Sequence, residues 1–208
     1  MAGAALIAAV HAQEPGRGGS ATAGQLQARQ EISAFEGALE NAVRQGAQML
    51  DQRLRQSTAV NWVMVAGLTQ ARGFRLDDYG VVFDVEFPSM RRSMVWSMLA
   101  LERAATAKPR QPSEMGSSIS PREIYQSEIT TALVNAILDH AGTLAVGAGE
   151  WLTVAARESW VDQRFVPGDP SDMAITVILR LKGSDLEALR ERKLSREDAR
   201  KRVEIKSY

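Results

Sequence analysis

Residues 73–90 read GFRLDDYGVVFDVEFPSM, and their spacing decides what kind of fold this is. From Tyr79 to Phe87 every odd position is apolar (Tyr79, Val81, Phe83, Val85, Phe87), while Gly80, Val82, Asp84 and Glu86 take the even ones. Side chains alternate across a strand, so one face is written for a core and the other for water. A strand of this kind fits an antiparallel sheet with helices packed on one face, an α+β fold. Asp77 and Asp78 fall at the hairpin turn before it, where aspartate serves local backbone hydrogen bonding. Pro88 ends the strand, and Ser89 is placed to cap a helix over about 90–103.

Upstream, Val60, Trp62, Met64, Ala66 and Leu68 alternate over about 60–68 and predict the strand that pairs with 79–87. Before it, Ile32, Phe35, Leu39, Val43, Leu50 and Leu54 recur at helical steps and predict a long amphipathic helix over 28–56. Glu40 and Arg44 are spaced as an i,i+4 ion pair on its outer side. Downstream, 105–120 has the composition of a linker. Ser120-Pro121-Arg122-Glu123 is a capping box that opens a helix to about His140. Strands follow at about 151–160 and 173–182, separated by the turn-rich VPGDPSD. Ser184 to Glu187 reads as a second capping box opening a helix to about 192. Ser195 caps a short last helix, and 203–206 reads as an edge strand.

At a constant shift of 94, Phe35, Leu39 and Val43 fall on Ile129, Leu133 and Ile137. The stripe from Tyr79 to Phe87 falls on Met173, Ile175, Val177, Leu179 and Leu181. The pattern suggests a helix–strand–strand–helix unit written twice, as half-repeats over about 28–104 and 121–194 of one α+β domain spanning 28–208.

The first residues, MAGAALIAAVHAQ, form a short apolar run followed by small residues at the positions that precede a cut after Ala12. They read as the end of a secretory signal peptide, residues 1–12, whose basic start lies upstream of Met1. Residues 13–27 read as a flexible leader, and the expected location is periplasmic or secreted. No later apolar run has the length of a membrane span. With Lys+Arg 25 against Asp+Glu 25, nothing steers the chain toward nucleic acid. The absence of cysteine rules out disulfides, thiolate catalysis and zinc–thiolate sites.

Carboxylates are the first candidates for chemistry. Asp77, Asp78, Asp84 and Glu86 could hold a hard metal ion or work as a general acid/base pair, though a hairpin turn and a solvated face also account for them. Asp169 and Asp172 offer the same choice between an Asx turn and a calcium ligand pair. His140 sits where a helix C-terminus favours imidazolium, and no G-x-S-x-G elbow accompanies it. Met90, Met94 and Met98 make a stripe at helical spacing, with Trp96 on another side. Thioethers bind Cu(I), but without His or Cys support the stripe reads as adaptable core packing or a partner-binding face. The basic residues of 190–206 alternate with acidic ones and lack an aromatic platform, so they read as a solvated face. No phosphate-cradling glycine motif occurs, and no cofactor is expected.

The run YGVVFDVEFPSM, with the later VILRLKGSDL, resembles exported proteins of unassigned function in environmental bacteria. The resemblance implies export and carries no catalytic motif. The expectation is a non-enzymatic envelope protein that acts as an interaction or assembly module, with a protein partner or a second copy. The alternative is a periplasmic small-molecule or metal-ion binding protein, or a metal-assisted hydrolase, using the acidic residues of 77–86.

Overall fold

The alternating stretch becomes the second strand of a five-stranded sheet, paired on both sides. The computed structural model describes residues 23–56, 63–92, 121–159 and 174–208. The elements are α1 (Ala23–Gln56), β1 (Val63–Ala66), β2 (Gln70–Leu76), β3 (Gly80–Phe87), β4 (Ser89–Arg92), α2 (Pro121–His140), β5 (Trp151–Glu158), β6 (Thr176–Lys182), α3 (Gly183–Arg190), α4 (Arg196–Arg202) and β7 (Glu204–Ser207). The large sheet runs β2-β3-β5-β6-β7, and β1 pairs with β4 in a separate two-stranded ribbon. The expected signal peptide, most of the leader, the linker, Ser120 and the VPGDPSD loop lie outside the described residues.

The α+β class holds, with a mixed rather than wholly antiparallel sheet. The exception is β3 with β5, which run parallel from Gly80↔Trp151 to Phe87↔Glu158. Parallel neighbours need a long crossover, and residues 88–150, with α2 among them, provide it. Gly80 makes the pairing possible at its start: it has φ +127°, and a Cβ there would lie 2.2 Å from the Trp151 carbonyl oxygen.

The core lies between one sheet face and two helices. Phe35, Leu39, Val43 and Leu50 of α1 and Ile129, Leu133 and Ile137 of α2 are buried together. They meet Val81, Phe83, Val85 and Phe87 of β3, Leu152, Val154 and Ala156 of β5, and Val177, Leu179 and Leu181 of β6. Phe35 meets Phe83 edge-on with centroids 4.8 Å apart, and Tyr125 of α2 meets Phe87 at 5.9 Å. Both helices therefore cover the same face of β3.

The hairpin differs from the sequence expectation. The strand that pairs with β3 is Gln70–Leu76, with Gln70 opposite Glu86 and Leu76 opposite Gly80. Within the expected strand over 60–68, residues 60–62 lie outside the described residues, β1 lies opposite β4, and Leu68 is exposed. The ladder breaks where residues 67–69 face 87–88, because three residues oppose two and Pro88 has no N–H to give. Residues 89–92 form β4 instead of opening a helix, and the rest of 93–103 is outside the described residues. Residues 23–27, read as leader, already belong to α1. Helix α3 starts at Gly183 without a side-chain cap from Ser184. Its first N–H groups go to loop carbonyls instead: Gly183 to Glu150 at 2.9 Å and Ser184 to Ala148 at 3.1 Å. Ser195 does cap α4, accepting from the Asp198 N–H.

The structure does not confirm the internal repeat. Across the sheet, β3 and β5 share one chain direction, and β2 and β6 share the other. Laying β2-β3 on β5-β6 in the same left-to-right order requires a half-turn about an axis in the sheet plane. That rotation would move the helix to the opposite face, whereas α1 and α2 share one. What the two halves share is the period of burial, as at Leu39 and Leu133 or Phe83 and Val177.

One helix face serves an unexpected purpose. Glu40 does not act as an outward partner of Arg44: its carboxylate accepts the Ala71 N–H at 3.0 Å. Glu36 accepts the Gly73 N–H at 2.6 Å. These are two of the outward N–H groups of edge strand β2. One helix turn, i to i+4, rises about 6 Å, close to the about 6.8 Å between alternate residues of a strand. The two carboxylates thus close an edge that could otherwise recruit another strand. Replacing both, Glu36→Ala with Glu40→Ala, is expected to lower the urea midpoint at constant slope and to raise light scattering on refolding. The stability loss should stay below about 1.5–3 kcal/mol per removed bond, because water can reach the freed groups.

A second acidic clamp holds the loop before β5. Glu150 accepts the Gly147 N–H at 2.7 Å and pairs with Arg75 of β2 at 2.7 Å, while Arg75 also donates to the Ala145 carbonyl. The Gly147 N–H, and then the Arg75 guanidinium, hold the Glu150 carboxyl below its ordinary 4.5. A lowered carboxyl adds stability above its unfolded-state value and loses it as pH falls through the lower native one. Glu150→Gln is therefore expected to melt below the parent near neutral pH, with the gap closing as pH drops below 4.5. A thermal melt series in pH checks this.

Candidate functional site

Among the described elements no helix lies on the second face of the sheet, and polar, charged and aromatic side chains from four strands meet there. The ladder registers place Gln70, Arg72 and Phe74 beside Val82, Asp84 and Glu86, then Trp151, Thr153, Ala155 and Arg157, then Thr176, Ile178, Arg180 and Lys182. Phe74 is 46% exposed and Leu76 44%. The Arg180 guanidinium stacks over the Trp151 ring at 4.1 Å, with the Lys182 ammonium 5.5 Å from the same ring. Tyr79 and Thr153 share a hydroxyl hydrogen bond at 2.8 Å.

Asp84 and Glu86 lie on this face, as the alternation required. Both are committed to Arg157, which sits opposite Glu86 on β5. Its Nη2 is 2.7 Å from Glu86 Oε1, and its Nε is 3.4 Å from Asp84 Oδ1. Asp77 and Asp78 sit apart in the exposed turn, where Asp78 takes the left-handed conformation at φ 60° and the Tyr79 N–H closes the turn on the Leu76 carbonyl. Among the described residues no three His, Cys, Asp or Glu side chains converge to hold a metal ion. The four acidic candidates are split between a turn and an ion pair.

Met90 stands in β4, half-buried against the core, and not on a helix. Met94, Trp96 and Met98 lie outside the described residues, as do Asp169 and Asp172. His140 is the exposed end of α2, and its carbonyl accepts from the Thr143 hydroxyl. Several basic residues of 190–206 have acidic or carbonyl partners: Arg196 with Asp139, Lys201 with Asp198, Arg202 with Asp185, and Arg190 with the Leu144 carbonyl. No described helix is long and apolar enough to cross a membrane.

The strongest polar feature escaped the sequence reading. In β5 the inward positions run Leu152, Val154, Ala156 and then Glu158, a carboxylate in core phase. It accepts the Met90 N–H at 2.9 Å and the Ile175 N–H at 3.2 Å, and it lies 3.5 Å from Arg122 at the start of α2. Beside it the fully buried Tyr125 donates its hydroxyl to the Pro88 carbonyl. Burial, and then the Glu158 charge, push the Tyr125 phenol far above its usual range, so it stays a donor. The signal was legible in principle: an acidic residue that closes an inward alternation must find donors. This junction ties together β4, β5, β6 and α2.

An open groove of about 570 Å³ runs between α1 and β2 and borders the second sheet face at Phe74, its lining including Arg29, Ile32, Glu36, Arg75 and Leu144. Two of its polar members are already engaged, Glu36 with the edge of β2 and Arg75 with Glu150. Compared with protein-family models, with characterised proteins and with solved structures, the chain shows no significant match.

Glu158→Ala would strand two backbone N–H groups in a half-buried junction, at about 1–3 kcal/mol each. Arg122 is one-third exposed and can turn to water. A urea midpoint series is expected to show this loss, with a far smaller one for Asp84→Asn, whose exposed pair is worth at most about 1 kcal/mol.

Proposed function

We infer that this chain is a non-catalytic exported protein of the bacterial envelope that acts by association. Export is supported by the leader-like first residues and by the resemblance to exported proteins. The observation that carries association is the sheet face on which no helix lies among the described residues. Phe74 and Leu76 stand half in water there, beside a tryptophan stacked under an arginine. Aromatic and arginine side chains around an apolar patch are the composition of interface centres. Some of the charged groups nearby are already matched, Arg157 by Asp84 and Glu86, and Arg180 by Glu204 at 3.6 Å. Arg72 and Lys182 lie on the same face, so apolar and aromatic contacts would drive the binding beside a modest positive charge.

The test is site-specific photo-crosslinking of the protein expressed with its own leader in a bacterial host. A photoreactive residue at Phe74 or Val82 is expected to give discrete higher-mass adducts in the envelope fraction, and one at Gly37, on the exposed side of α1, is not. Recovery of the protein in the cytoplasm, or equal labelling at all three positions, would remove the reading.

A further inference from the structure

The two rims of the sheet are finished differently. On β2 the outward N–H groups of Ala71 and Gly73 are taken by Glu40 and Glu36. At the other rim is β7. Thr176 and Tyr208 exchange both of their backbone hydrogen bonds, at 3.2 and 2.9 Å, so the even-numbered residues of this strand bond to β6. The odd-numbered Ile205 and Ser207 therefore turn N–H and C=O outward. Among the described residues no side chain takes those groups. Ile205 is also 50% exposed, beside the core edge where it faces Leu179.

We propose that β7 is the seam of a symmetric dimer, in which a second copy of this chain adds its own β7 antiparallel to this one about a two-fold axis at Ile205. The occupant follows from the charges on the strand, Glu204-Ile205-Lys206. Centred on Ile205, the antiparallel pairing sets Glu204 opposite the second copy's Lys206 and Lys206 opposite its Glu204. It also closes two backbone bonds between the two Ile205 residues and lays their half-exposed side chains together. A two-residue slip either way puts Lys206 opposite Lys206 or Glu204 opposite Glu204, which is repulsive. A one-residue slip offers groups already bonded to β6. One register alone satisfies backbone, charge and apolar side chain, and the product is a continuous ten-stranded sheet. A four-residue seam is small, so the association should be weak and concentration-dependent.

The proposal rests on the association reading but uses a different surface, and the two fail separately. The chain has no cysteine, so Ile205→Cys introduces a single thiol. Directly opposed residues of a hydrogen-bonded pair have Cα atoms about 5.5 Å apart, within disulfide reach. Ser207→Cys would lie opposite residue 203, four positions from its own copy, or about 13 Å away. Mild oxidation of the mature protein is expected to dimerise the first variant and leave the second monomeric. In sedimentation velocity, Glu204→Lys and Lys206→Glu should each abolish dimer, and the double exchange should restore it. Ile205→Pro should also abolish it while leaving the melting curve intact, since that N–H serves no bond within the monomer. Equal oxidation of both thiol variants, or a double exchange that stays monomeric while folded, would overturn the seam. A parent protein that remains monomeric at high concentration while the Phe74 photo-adducts persist would overturn it too and leave the sheet face standing.

Discussion

Parallel pairing of β3 with β5 is the constraint from which the rest of the architecture follows. A hairpin cannot join two parallel neighbours, so the chain must leave one end of the sheet and return to the other. The return passes over the face that α1 already occupies, which puts α1 and α2 in one layer and leaves the opposite face to Phe74, Trp151 and Arg180. The seam is fastened at both ends by backbone bonds, Trp151 N–H to the Tyr79 carbonyl at 2.8 Å and Ser159 N–H to the Phe87 carbonyl at 2.7 Å. Between them β3 contributes four buried side chains, Val81, Phe83, Val85 and Phe87.

Where the seam ends, polar groups take over from packing. Glu158 arrives on the inner face just as the apolar layer runs out, and it is met by donors from β4 and from the approach to β6. The carboxylate offers one acceptor oxygen to each N–H, Oε1 to Met90 and Oε2 to Ile175, where an amide would turn a donor toward one of them. Tyr125 caps the neighbouring carbonyl of Pro88, a residue that breaks the ladder and cannot donate for itself. The acidic groups of this protein thus divide the structural work among them. Glu158 joins elements, Glu150 pins a loop, Glu36 and Glu40 close an edge, and Asp84 and Glu86 balance an arginine.

Much of this was legible in the order of residues, and the failures have physical causes. Helices α1 and α2 and strands β3 and β6 announce themselves because each has one buried side, and burial repeats at the period of the element. Strand β2 does not. Its inward positions are Ala71 and Gly73, since the helix lies too close for anything larger. A Cβ on Gly73 would sit 2.3 Å from the Phe83 ring and 2.6 Å from Ile32. The alternation at 60–68 was therefore the louder signal and the wrong partner. Strand pairing across long separations is carried by backbone groups that every residue possesses, so the β3–β5 seam left no mark in composition. Asp84 and Glu86 were placed on the correct face, but their partner Arg157 could be named only once β5 was known to be adjacent.

The carboxylates of Glu36 and Glu40 also bear on how the chain comes into being. They precede their β2 partners in sequence by 37 and 31 residues, so a chain emerging from a ribosome presents them first. By the time Ala71 and Gly73 appear, the groups that will occupy their N–H bonds are already in the open, on a helix that can form locally. A bare strand edge is most dangerous while its neighbours are still unmade. Here the order of the elements along the polypeptide sets the guard in place before the edge it guards, a protection against misassembly that acts through time as well as through contact.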